Sequence, residues 1–184
     1  MALGATVLSV PISKREQDRM EKRQVLGAVS SVVNTVNTLA TTVNTAQTAI
    51  TSAVAANAEV AISANLAQVV TALQTAQTAV QGQLAGAATS ITSATATALQ
   101  NTLTQLRTIA SGLQTTLDEI EAATDLVITQ EAAAIRSALT GVLTPISNFA
   151  SVARVSGLIS GLLTSLTSLL GGLVTDIRNI IAAI

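Results

Sequence analysis

Five carboxylates, Asp118, Glu119, Glu121, Asp125 and Glu131, are the largest group of acidic side chains that could do chemistry. Paired carboxylates transfer protons or bind hard cations. Asp118, Glu121 and Asp125 are three and four residues apart, which would place them on one face of a helix. No glycine-bearing cation loop surrounds them. The chain has no histidine to act as base and no cysteine to act as nucleophile or thiolate ligand. The group therefore reads as a solvated helix face, with weak divalent binding as its alternative. No catalytic, cofactor or metal site is expected, and the chain reads as a non-enzyme.

The second charged group is the run 13–23: Ser13, Lys14, Arg15, Glu16, Gln17, Asp18, Arg19, Met20, Glu21, Lys22 and Arg23. Ser13 followed by Glu16 is a capping-box spacing, which predicts a helix start just after Pro11. The run reads as a solvated helix start, with a basic docking patch as the alternative. Net charge is −1, no long basic stripe exists, and Phe149 is the only aromatic. Phosphate neutralisation and base stacking both lack their residues, so no nucleic-acid partner is expected.

Elsewhere the chain nearly lacks charge. Glu59 is the only ionisable side chain between Gln24 and Leu106. Across this stretch apolar residues recur at Val25, Val29, Val32, Val36, Leu39, Val43, Ala46, Ile50 and Ala53, at alternating intervals of four and three. The rhythm continues through Asn57 to Val60, Ala64 and Ala67. A second run follows at Leu99, Leu103, Leu106, Ala110, Leu113, Leu117 and Ile120, extending to Thr124 and Val127. Val80, Leu84, Ala87, Ile91, Ala94 and Ala98 join the two after a one-residue phase slip. Such heptads predict helices that pack along a seam. Val29, Val36, Val43, Ile50, Asn57, Leu99, Leu106, Leu113 and Ile120 are the expected oligomer seam, with Asn57 a candidate register device. Val-Asn-Thr triplets also suit a β-solenoid, but residues 40–42 break the triplet and keep the heptad, and no glycine or proline supplies corners between Ala28 and Gln81.

The expected fold is all-α: long heptad-patterned helices plus a C-terminal amphipathic helix. Residues 1–12 form an apolar leader, 13–23 a charged helix start, 24–143 the heptad region and 146–184 the terminal helix. Gly82 and Gly86 separate two 54-residue arms, 28–81 and 87–140. Folding at 82–86 would give a hairpin with arms of roughly 80 Å, and no fold there a coiled-coil rod of roughly 195 Å. The hairpin is favoured because it buries its own seam.

Pro145 predicts a break or kink, since proline cannot continue a running helix. Beyond it, Leu158, Leu162, Leu166, Leu169, Leu173 and Ile177 fall on one apolar face opposite Gly, Ser and Thr. This face is expected to dock on protein, with a lipid or other hydrophobic surface as the alternative and a bilayer span over the uncharged 155–175 as the third. Residues 1–12 put their charges after the apolar run, the reverse of a secretory signal. A cell-surface or extracellular site is slightly favoured. The functional expectation is a self-assembling structural protein whose partner is itself, in a filament, fibre or surface layer. The alternative is a coat on a lipid droplet, polymer granule or membrane.

Overall fold

The computed structural model describes residues 13–87 and 92–152. They form four helices: α1, Lys14–Ala55; α2, Glu59–Leu84; α3, Ser93–Ala123; and α4, Thr129–Val152. The all-α expectation holds. The leader 1–12 and the terminal face Leu158, Leu162, Leu166, Leu169, Leu173 and Ile177 lie outside the described residues.

α1 opens as expected. Ser13 Oγ accepts from the Glu16 backbone N–H at 3.3 Å, and the Glu16 carboxylate accepts from the Ser13 N–H at 3.3 Å. Its buried residues are Val25, Val29, Val32, Val36, Leu39, Val43, Ala46, Ile50 and Ala53, the nine positions of the first heptad run. The helix then stops where the heptad predicts continuation. Asn57 takes a φ of 51°, its N–H donates to the Val54 carbonyl at 3.0 Å, and the Ala58 N–H donates to the Ala53 carbonyl at 2.9 Å. That is a Schellman ending, with Asn in the left-handed position that few residues other than Gly tolerate. Glu59 then sits in the first turn of α2, where its charge complements the helix dipole.

The turn at 56–58 overturns three expectations. The chain is neither an unbroken rod nor one long hairpin folded at 82–86, because the arm 28–81 is itself folded in half. Asn57 is an exposed turn residue rather than a seam residue. The α2 core is Ile62, Leu66, Val69, Leu73, Ala76 and Val80, two residues out of phase with the extrapolated heptad, and Val60 is 86% exposed. Gly86, with φ +74°, follows the end of α2, whereas Gly82 lies inside that helix. Pro145 does not break the chain but lies inside α4. The missing N–H costs about 3 kcal/mol in a helix interior. Buried Leu139, Val142 and Leu143 before the proline, and Ile146 and Phe149 after it, hold the helix to the core across that point.

α1 and α2 pack antiparallel, α3 lies along α1, and α4 lies along α2. Cross-helix bonds fix the direction of α3. Gln105 Nε2 donates to Asn37 Oδ1 at 2.6 Å, and Gln47 Nε2 donates to Thr116 Oγ1 at 3.1 Å, so α3 runs parallel to α1. α3 and α4 barely approach each other, and the pairs α1–α4 and α2–α3 are diagonal.

The bundle contains an internal repeat. Buried Val36, Leu39, Val43, Ala46 and Ile50 of α1 recur thirty residues later as Leu66, Val69, Leu73, Ala76 and Val80 of α2. Leu99, Leu106, Leu113 and Ile120 of α3 recur twenty-nine residues later as Ile128, Ile135, Val142 and Phe149 at the start of and within α4. The α1–α3 pair and the α2–α4 pair are thus two copies of one packing unit, facing opposite ways along the bundle.

Candidate interaction surfaces

The seam residues Val29, Val36, Val43, Ile50, Leu99, Leu106, Leu113 and Ile120 are 0–1% exposed within the single chain. The fold spends the heptads on its own core, so they are not an open seam for a second chain. What the described residues offer a partner is the outer wall and the two ends of the bundle.

The wall is built from the outer residues of α1 and α2. Thr38, Thr41, Thr42, Thr45, Thr48 and Ser52 each donate their hydroxyl hydrogen to the backbone carbonyl four residues earlier, at 2.9–3.1 Å. Thr71, Thr75 and Thr78 do the same on α2 at 2.8–3.1 Å. A hydroxyl committed in this way has no hydrogen left for solvent or a partner. The wall therefore presents threonine methyls and acceptor oxygens, interspersed with Asn and Gln amides. Between the two helices runs a groove of about 520 Å³, lined by residues such as Ser31, Thr38, Thr42, Ala72 and Thr75, none of them ionisable. Thr35 and Gln83 bridge it, with Gln83 Nε2 donating to Thr35 Oγ1 at 2.9 Å.

The two ends differ. At the α1–α2 turn, Asn57, Glu59, Glu121, Thr124 and Asp125 line one shallow cavity. α3 stops at Ala123, so Asp125 lies in the linker and leaves the helix face shared by Asp118 and Glu121. Among the described residues no group of three acidic, His or Cys side chains converges as a metal site. At the other end, residues 14–24 of α1 are exposed on every side. The α1–α3 register places Ser93 level with Val25, so this charged segment projects beyond the other described helices by about 16 Å at 1.5 Å per residue.

The sequence reading missed the repeat, although Thr45-Ala46-Gln47-Thr48-Ala49-Ile50 and Thr75-Ala76-Gln77-Thr78-Ala79-Val80 announce it. It also missed the opposition of the two ends, which exists only once Glu59 and Glu121 are brought together. Among the described residues, no helix is long and apolar enough to cross a membrane. Comparison with protein-family models, curated proteins and solved structures yields no match to this chain.

Proposed function

We propose that the chain is a structural, self-assembling α-helical protein, a subunit of a filament, fibre or surface layer. The observation that carries this reading is the wall of α1 and α2. It has no ionisable side chain from Gln24 to Ala58 or from Val60 to Leu84, and its threonine hydroxyls are turned into their own helices. Two such walls meet with no charge to desolvate, few hydroxyl donors to leave unpaired and little repulsion at a distance. Selection among partners then rests on shape, which favours copies of the same surface.

Sedimentation velocity over a concentration series, followed by electron microscopy, tests the reading. Large assemblies with a regular repeat are expected. A monomer at every concentration would overturn it. A second reading, a coat on a lipid droplet, polymer granule or membrane, draws on the apolar face predicted at Leu158, Leu162, Leu166 and Leu169. Flotation with an oil emulsion separates the two: recovery with the emulsion and no self-assembly selects the coat.

A further inference from the structure

We propose that copies of the chain stack head to tail, with the projecting helix segment 14–24 of one copy seated on the acidic end of the next. The proposal rests on the self-assembly reading above and gives it a direction.

Among the described residues the segment is an unpartnered helix. Its first turn is fixed by the Ser13–Glu16 capping box, yet every residue from 14 to 24 is exposed, including Met20 at 47%. It also lies outside the internal repeat. α2 begins three residues before its first buried position, Ile62, whereas α1 runs eighteen residues before the matching Val32. Packing among the described residues therefore gives no reason for its length. It carries five basic and three acidic side chains, a net charge of +2.

The opposite end has the complementary sign. The end of α3, its linker and the first turns of α2 and α4 carry six carboxylates and no basic side chain, with Glu59, Glu121 and Asp125 around one depression. Asp118, Glu119 and Glu121 crowd the C-terminal end of α3, where the helix dipole disfavours negative charge. Lys14 and Arg15 open α1, where it disfavours positive charge. At these positions charge is held against the preference of the helix, whereas Glu16, Glu59 and Glu131 lie in first turns that favour negative charge. The ends are roughly 55 Å apart along α1, several Debye lengths at physiological salt, so they do not offset each other within one molecule. A contact between unlike ends is heterologous and does not close on itself, so it propagates along an axis. A segment about 16 Å long and about 10 Å wide buries less than the roughly 800 Å² per partner of a free-standing interface. It orders copies that the walls also hold side by side.

The test uses two full-length variants. Arg15→Glu/Arg19→Glu/Arg23→Glu makes both ends acidic. Asp118→Lys/Glu119→Lys/Glu121→Lys/Asp125→Lys makes both ends basic. All seven positions are exposed, and circular dichroism melts verify folding. At about 20 mM salt each variant alone is expected to lose the axial repeat seen by electron microscopy and to weaken end-to-end association by about tenfold or more, while an equimolar mixture restores both. The wild-type repeat is expected to fade by about 300 mM salt, a result that needs no variant to fold. Variants that stack as well as wild type, or a mixture that restores nothing, overturn the contact while leaving lateral assembly standing. A wild-type chain that stays monomeric overturns both proposals. Flotation with phosphatidylglycerol vesicles that is lost in the arginine variant, with axial order unchanged, overturns the contact in favour of a lipid surface.

Discussion

The amide of Gln77 on α2 lies where a β-carbon on residue 141 of α4 would stand, and Gly141 leaves that space open. Gln47 repeats the relationship on α1, its Nε2 coming within 2.8 Å of the β-carbon position of Gly112 on α3. The two contacts occupy equivalent places in the repeated unit. In each parallel pair a glutamine of the first hairpin lies on a glycine of the second, and the helices approach closely there.

That geometry predicts a sign that depends on the partner. Gly112→Ala gains about 1 kcal/mol of helix propensity. It also displaces Gln47 from its bond to Thr116, which contributes about 1 kcal/mol. The single variant should therefore be close to neutral in urea unfolding. In a Gln47→Ala background the same change should stabilise by about 1 kcal/mol, because the methyl meets no amide. Gly27→Ala and Gly82→Ala, with nothing within 4 Å of the added carbon, should stabilise by about 0.5–1 kcal/mol in either background. Strict additivity in the Gln47–Gly112 cycle would contradict the contact.

The register of α2 predicts a contrast between neighbours. Ile62 is fully buried and Val60 is 86% exposed. Ile62→Ala should cost about 2–5 kcal/mol and Val60→Ala only a few tenths. Extrapolating the first heptad assigns the core position to Val60, so thermal melts of the two variants decide between the registers.

The same pair shows what was legible beforehand. Periodicity located every buried residue of α1 and the seam of α3, because apolar spacing is a local consequence of helix geometry. It failed at Asn57, since Asn fits both a polar core position in a continuing seam and the left-handed residue that ends a helix. Resetting the phase there shifts the α2 core by two residues. Of the break or kink read at Pro145 the break does not occur, because a local penalty of about 3 kcal/mol is smaller than the burial of the apolar residues flanking it. Asp118, Glu119, Glu121 and Asp125 are exposed, as a solvated face requires, but Asp125 leaves the helix and Glu59 joins the group. Glu59 reaches Glu121 only through two turns that no local pattern connects.

Backbone conformation at the turns yields a third prediction. Asn57 and Gly86 both hold positive φ. Asn57→Gly should leave stability within a few tenths of a kcal/mol, whereas Asn57→Val should cost about 1–2 kcal/mol, since a β-branched side chain is strained in that region. Gly86→Ala should cost about 1 kcal/mol despite open space around the added methyl. Equal melting temperatures for Asn57→Gly and Asn57→Val would refute the Schellman ending.

The acidic end supplies the last prediction, in which stability and assembly move in opposite directions. Glu121 lies in the last turn of α3, a helix with no basic residue at that end. Lysine there reverses an unfavourable interaction with the helix dipole and relieves repulsion from Glu59 and Asp125 around the same depression. Glu121→Lys should raise unfolding free energy by about 0.3–1 kcal/mol at low ionic strength, and added salt should shrink the gain. The same substitution removes charge that the head-to-tail contact uses. Its end-to-end association should therefore weaken while its melting temperature rises. A variant that is destabilised, or that stacks more tightly than wild type, would show that the carboxylates serve the fold instead. Measured together, calorimetry and sedimentation separate a charge kept for the helix from a charge kept for the next copy.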